Sequence, residues 1–223
     1  RFAAQPLPAW KRAVLKVGSS LLAAPESGLS TRHALALAEF VRASRAAGRE
    51  LVIVSSGAVA AGRALLRQGG SVRDSLAGKQ ALAALGQAPV VALWQRFFDA
   101  PVAQVLLTHD DLRHRRRYLN ARATLRELLR LGAIPVVNEN DTVGVDELKL
   151  GDNDNLAAMV AALVDAELLL IASDVPGLFD ADPRRVADAS PVLRVESITS
   201  ATLAMAGGAG SAQGTGGMLT KLQ

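Results

Sequence analysis

Residues 13–20 read AVLKVGSS: a short apolar β-rich run containing one lysine, then a glycine and two serines. A strand that ends in glycine and leads into a helix turns backbone N–H groups toward one point, where the helix N-terminus favours negative charge. The same form recurs in ELVIVSSGAV, residues 50–59. Outward from these two stretches, further β-rich runs are VAQVLLT (102–108), AIPVVN (133–138) and ELLLIAS (167–173). Helical stretches fall between the runs, at roughly 31–47, 57–68, 75–99, 111–131 and 153–165. Four of the five runs are continuously apolar, as strands are when both faces of a parallel sheet are covered. The expectation is an α/β fold, a three-layer αβα sandwich around a mostly parallel open sheet, joined by right-handed crossovers.

Composition allows this. The 223 residues are 50% hydrophobic, enough for a sizeable core, and no apolar run approaches the ~20 residues of a membrane span. The absence of cysteine excludes disulfides, zinc–thiolate sites and thiol nucleophiles, which suits a cytoplasmic protein. The opening RFAAQPLPAW reads as a Pro-containing tail over 1–12, without the apolar stretch of a signal peptide. Net charge is +4, and much of the excess is Arg113, Arg115, Arg116 and Arg117 around His114. That run could be a nucleic-acid patch or the solvated face of a helix. With only 4% aromatic residues and no stacking platform, the helix face is the expectation, with neither nucleic acid nor membrane as partner.

In open parallel sheets ligands bind outside the carboxyl ends of the strands. Strand 13–17 carries Lys16 and runs into Gly18, Ser19 and Ser20; strand 50–55 runs into Ser56 and Gly57. Strand 133–138 runs into Glu139, Asn140, Asp141 and Thr142, and strand 167–173 into Asp174, Val175, Pro176 and Gly177. A further glycine-rich stretch, GTGGMLTK (214–221), closes on Lys221. It lacks the Walker A spacing, and GGAGSAQG (207–214) lacks the dinucleotide-binding spacing. A glycine loop closed by lysine still suits a phosphate.

Residues 149–164, KLGDNDNLAAMVAALV, place two aspartates and two asparagines, Asp152 to Asn155, at the start of an apolar helix. One cap needs one such residue. The others are free for ligand, and an over-capped helix explains neither Asp141 nor the lysines. Clustered Asp141, Asp152 and Asp154 make sense opposite a divalent cation, a substrate ammonium or the two lysines. The three histidines, His33, His109 and His114, are expected at helix starts or in the basic run, away from strand exits, and no HExxH or GxSxG occurs. A hydroxyl acceptor would want a general base, whereas a carboxylate is already ionised at pH 7. Phosphoryl transfer to a carboxylate then needs positioning and charge stabilisation alone.

These pieces together resemble the amino acid kinase family, and within it the members that phosphorylate glutamate. The matching stretches are VLKVGSSLL (14–22), LVIVSSGAVAAGR (51–63), KQALAALGQ (79–87), LNARATLRELL (119–129), IPVVNENDTV (134–143), LKLGDNDNLAA (148–158), SDVPGLFDADPR (173–184) and GTGGMLTKLQ (214–223). The resemblance implies ATP-dependent phosphorylation of the γ-carboxylate of L-glutamate, the first step of proline biosynthesis. It assigns Lys16 and Lys221 to the transferring phosphoryl group and Asp154 to orienting them. Ser56, Asp141 and Asn153 match glutamate-binding positions, with Asp152 and Asn138 beside them. Lys16, Gly18, Ser173, Asp174 and the run Thr215, Gly216, Gly217, Met218, Leu219, Thr220 and Lys221 match ATP-binding segments. Mg²⁺ is expected through the ATP phosphates, with no protein ligand assigned. Feedback inhibition by proline and a homo-oligomer, dimer or tetramer, are implied as well.

Ser173 stands where the family often has Thr. The family domain continues beyond the stretch matching Lys221 and often carries a PUA domain, so by resemblance 13–223 is a kinase domain lacking part of its nucleotide wall. Rival readings are a kinase for N-acetylglutamate or aspartate, and a non-catalytic nucleotide- or oxyanion-binding protein.

Overall fold

The computed structural model describes residues 6–24, 28–66, 72–144, 153–183, 185–186, 188–206 and 217–222. Along the chain run β1 (Arg12–Val17), α1 (Ser19–Leu22), β2 (Ala23–Ala24), β3 (Gly28–Leu29), α2 (Ala34–Ala46), β4 (Glu50–Ser55), α3 (Ala58–Leu65) and α4 (Leu76–Gln95). Then follow β5 (Val102–Leu107), α5 (His109–Arg113), α6 (Arg115–Arg130), β6 (Ile134–Glu139), α7 (Asn153–Leu163), β7 (Leu168–Ala172), α8 (Ser200–Met205) and α9 (Met218–Leu222). The five apolar runs form one parallel sheet in the order β5-β6-β4-β1-β7. Strands β2 and β3 form a small antiparallel pair that the sequence reading did not contain.

Side-chain alternation along each strand divides the interior in two. On one face Ala13, Leu15 and Val17 of β1 and Leu51 and Ile53 of β4 pack with Val41 of α2, Ala58 of α3 and Val90 and Trp94 of α4. On the other, Val14, Val52, Val54 and Val137 pack with Leu125 and Leu129 of α6 and Leu156, Val160 and Leu163 of α7. Full burial of each large apolar side chain contributes about 1.5–3 kcal/mol. The sheet is thus covered on both faces, as its continuous apolar runs require. Its edge strands β5 and β7 are only half-buried, while β1, β4 and β6 are buried almost throughout.

Two glycines bring α3 and α4 into backbone contact. A Cβ at Gly86 would fall 1.7 Å from the Ala58 carbonyl oxygen, and one at Gly62 would fall 1.9 Å from that of Leu82. After β4 the chain turns into α3 at Gly57 with φ +106°, a left-handed conformation that glycine adopts without strain.

The helix expected over 111–131 is two helices. Thr108 and Asp111 form a capping box, the Thr108 hydroxyl accepting from the Asp111 amide and the Asp111 carboxylate accepting from the Thr108 amide. This starts α5 directly behind β5, and His114, extended at φ −83° and ψ 112°, then separates α5 from α6. The arginine run therefore straddles a break, and Arg117 pairs with Asp111 at 3.2 Å. Among the described residues no helix is long and apolar enough to cross a membrane.

Candidate active site

The period of two in β1 directs Lys16 to the same face as Val14, the face covered by α7. Lys16 is consequently buried, and its Nζ lies 2.5 Å from Oδ1 of Asp154 in the first turn of α7. The other carboxylate oxygen, Oδ2, accepts from Lys221 Nζ at 2.9 Å and from the Thr220 hydroxyl at 2.8 Å, both on α9. The Gly217 carbonyl accepts from the same two side chains, at 2.9 Å from Thr220 and 3.4 Å from Lys221. Burial pushes the Asp154 carboxyl up. The charge and hydrogen bond of Lys16, with the hydrogen bonds of Lys221 and Thr220, outweigh that and hold it below the ordinary aspartate value. Asp154 is an anion between two ammonium groups.

The neighbouring residue on α7 reaches the other way. Asn153 Nδ2 donates to the Ser56 hydroxyl at 2.8 Å, to Asn138 Oδ1 at 2.8 Å and, at 3.4 Å, to the Ser55 carbonyl. Asn138 donates in turn to Gln87 of α4 at 3.2 Å. Asn153 Oδ1 is buried with no hydrogen-bond partner among the described residues, so an acceptor stands ready within the polar cluster. Past β6, Asp141 is 8% exposed. Burial and then the negative charge of Glu139 push its carboxyl up to about 6. The start of α7 thus joins a two-lysine cluster at the end of β1 to an amide and hydroxyl cluster at the ends of β4 and β6.

Of the residues marked by sequence, Lys16, Asp154, Thr220, Lys221 and Gly217 meet in one place, and Ser56, Asn138 and Asn153 meet beside them. Ser173 and Asp174 follow β7, adjacent to Gly18, whose amide donates to the Ala172 carbonyl at 3.3 Å. Ser173 is tied into a local turn with Val175. Met218 and Leu219 form the first turn of α9. Asp152, Thr215 and Gly216 lie outside the described residues.

Sequence reasoning missed three residues here. Gln87 and Trp94 on α4 support the strand ends, Trp94 by donating from its indole to the Ser55 hydroxyl at 2.9 Å. Both lie in a helix whose apolar residues surround it, so periodicity marks neither. The third is His109, expected away from strand exits. It lies at the exit of β5, buried, 3.9 Å from Glu139 Oε1, because the capping box starts α5 earlier than the apolar spacing indicated.

The strand-end site lies in an αβα sandwich on a parallel sheet, and comparison with known proteins gives its family. The profile of the amino acid kinase family matches residues 11–223. The chain belongs to that family. It is 69% identical over its whole length to a glutamate 5-kinase of Xylella fastidiosa. It is 71% identical over 210 residues, 94% of this chain, to a glutamate 5-kinase of Xanthomonas euvesicatoria. In both cases it spans 58% of the relative's length. The crystal structure of a UMP kinase from Bacillus anthracis shares the fold at a TM-score of 0.55 and 15% identity, covering 89% of this chain and 84% of that one.

Proposed function

We propose that residues 13–223 form the kinase domain of a glutamate 5-kinase, which transfers the γ-phosphoryl group of ATP to the γ-carboxylate of L-glutamate. The observation that carries this reading is the convergence of Lys16 and Lys221 on Asp154 at the carboxyl end of β1. The identity to curated glutamate 5-kinases supports the choice of acceptor.

The acceptor carboxylate is ionised at neutral pH, so its oxygen attacks the γ-phosphorus without a general base. A bond from that oxygen to phosphorus forms while the bond from phosphorus to the β–γ bridging oxygen breaks. ADP leaves with the electron pair, and the product is L-glutamyl 5-phosphate. Lys16 and Lys221 stabilise the charge on the transferring group, and Asp154 orients both ammonium groups. Gly18, Ser173, Asp174 and the stretch from Thr215 to Lys221 bind the nucleotide. Mg²⁺ would be held by the ATP phosphates, with no ligand assigned among the residues of this chain. When bound there, the ion neutralises phosphate charge.

Glutamate lies across the ends of β4 and β6. Asp141 faces its ammonium group, and Ser56, Asn138, Asn153 and Asp152 supply hydrogen bonds. An acetylated amine has no charge for Asp141 to meet, which favours glutamate over N-acetylglutamate. Proline inhibition at the glutamate site, a homo-oligomer and a cytoplasmic location are carried over from the same resemblance.

The test uses the complete protein with ATP, Mg²⁺ and glutamate, trapping the acyl phosphate with hydroxylamine. Glutamate-dependent ADP release with γ-hydroxamate formation is expected; release that ignores glutamate, or prefers N-acetylglutamate or aspartate, overturns the assignment.

A further inference from the structure

Helix α4 meets the strand ends through Gln80 and Gln87, which the helical period places on one face. Gln80 donates from its side chain to the Gly144 carbonyl at 3.0 Å, and Gln87 donates to the Glu139 carbonyl at 3.4 Å. The helix thus holds both ends of the segment 139–144, which carries Asp141. Gln87 also makes a second contact. Its Oε1 accepts from Asn138 Nδ2 at 3.2 Å, and Asn138 Oδ1 accepts from Asn153 Nδ2 at 2.8 Å. Asn153 Nδ2 donates to the Ser56 hydroxyl as well. Gln87 is 9% exposed, Asn138 5% and Asn153 2%, so water competes little for these bonds.

A carboxamide has one donating and one accepting end, so a row of them has a direction. A backbone carbonyl only accepts. The Glu139 carbonyl therefore takes the NH₂ end of Gln87, which leaves Oε1 for Asn138. Asn138 then turns its NH₂ to Gln87 and its Oδ1 to Asn153, and Asn153 answers with its NH₂. The row ends on Asn153 Oδ1, which is buried and has no hydrogen-bond partner among the described residues. A buried acceptor in that state calls for a donor. It belongs to the cluster at the carboxyl ends of β4 and β6, where ligands of open parallel sheets bind. Resting on the glutamate reading above, we infer that Gln87 is a positioning residue: through Asn138 it sets the direction of the Asn153 amide, so that Asn153 Oδ1 accepts from the substrate ammonium. The reverse direction would set an NH₂ group against that ammonium. The Ser55 carbonyl, 3.4 Å from Asn153 Nδ2, favours the same direction, and the experiment separates its influence from that of Gln87.

The experiment uses full-length protein with Gln87→Met, which keeps the shape and removes both hydrogen bonds, and Gln87→Glu, which keeps the acceptor for Asn138. Affinities for glutamate and for glutarate, the same diacid without the amine, are measured by calorimetry. The side-chain amides of Asn138 and Asn153 are followed by ¹⁵N NMR in the ligand-free protein. In Gln87→Met the preference for glutamate over glutarate should fall about tenfold, the scale of one hydrogen bond to a charged group. The Asn153 amide signal should move although Asn153 does not touch Gln87, and Gln87→Glu should restore both the preference and the signal. An unchanged preference in Gln87→Met overturns the inference, because the Ser55 carbonyl then sets the amide by itself. Equal weakening of glutamate and glutarate overturns it too, since that is a packing effect. So does an Asn153 signal that moves as far in Gln80→Met, which loses only the other α4 bond. A wild-type protein that does not bind glutamate overturns the glutamate reading instead, while the Asn153 signal still decides whether Gln87 directs that amide.

Discussion

Lys16, at the end of the first strand, and Lys221, in the last described helix, hold opposite oxygens of the Asp154 carboxylate, at 2.5 Å and 2.9 Å. The lysine side chains are 9% and 15% exposed and the aspartate side chain 2%. One buried and one half-buried cation around one anion leave a net positive charge, and a phosphoryl group in transfer is a natural counter-charge.

Replacing either lysine by methionine keeps most of the aliphatic stem and removes the charge. Loss of one preorganised charge contact to a transition state costs about 10²- to 10³-fold in kcat. Both Lys16→Met and Lys221→Met should therefore lose turnover on this scale in the hydroxamate assay, with circular dichroism unchanged. Near wild-type turnover in either would remove that lysine from the chemistry.

Asp154→Ala should act on stability as well as on rate. It leaves two poorly solvated ammonium groups facing each other, and breaking a buried ion pair from one side costs about 3–5 kcal/mol. Urea denaturation should show a lower midpoint at an unchanged slope.

Asp141 gives a pH dependence of defined sign. Its folded-state value of about 6 lies above the ordinary 3.8, so its contribution to stability is complete below about pH 4 and is lost as pH rises through 6. Asp141→Asn removes that loss and should stabilise the protein at pH 8 by about 3 kcal/mol relative to wild type, with the gain vanishing toward pH 4. Thermal melts at the two pH values check this. The same variant should bind glutamate far more weakly at pH 8 while its ATP affinity stays near wild type.

Asn153→Ala separates substrate binding from phosphate chemistry on adjacent residues. It removes the amide that joins Ser56 to Asn138 and leaves Asp154 with its lysines. The expected result is a rise in KM for glutamate of about tenfold or more, since a buried hydrogen-bonding group is worth about 1–3 kcal/mol. ATP affinity, measured by calorimetry, should change little.

Gly86→Ala tests the α3–α4 contact. A methyl group 1.7 Å from the Ala58 carbonyl oxygen forces the helices apart, and overpacking of this kind costs about 1–3 kcal/mol or more. The measurement is the shift in denaturation midpoint, with Ala83→Gly on the same helix as the propensity control.

Much of this was legible along the chain. Apolar runs, four of the five continuous, identified the strands of the parallel sheet, and the residues at their carboxyl ends marked where a ligand belongs. The cluster Asp152 to Asn155 announced a helix start with more polar groups than a cap requires. What periodicity could not reveal were the supports of the site. Gln87 and Trp94 lie in an apolar helix, and the break at His114 follows from a capping box rather than from apolar spacing.

The sequence by itself determined the strands, the helices that cover them and the kinds of side chain set at each strand end, because these depend on alternation, helical period and local turn chemistry. Tertiary structure alone decided which of those ends stand together. Sheet order brings β1, β4 and β6 side by side, and the first turn of α7 delivers Asn153 to one cluster and Asp154 to the other. Such contacts join residues far apart in the chain, and only the closing of the sheet and the burial of both its faces bring them within hydrogen-bonding distance.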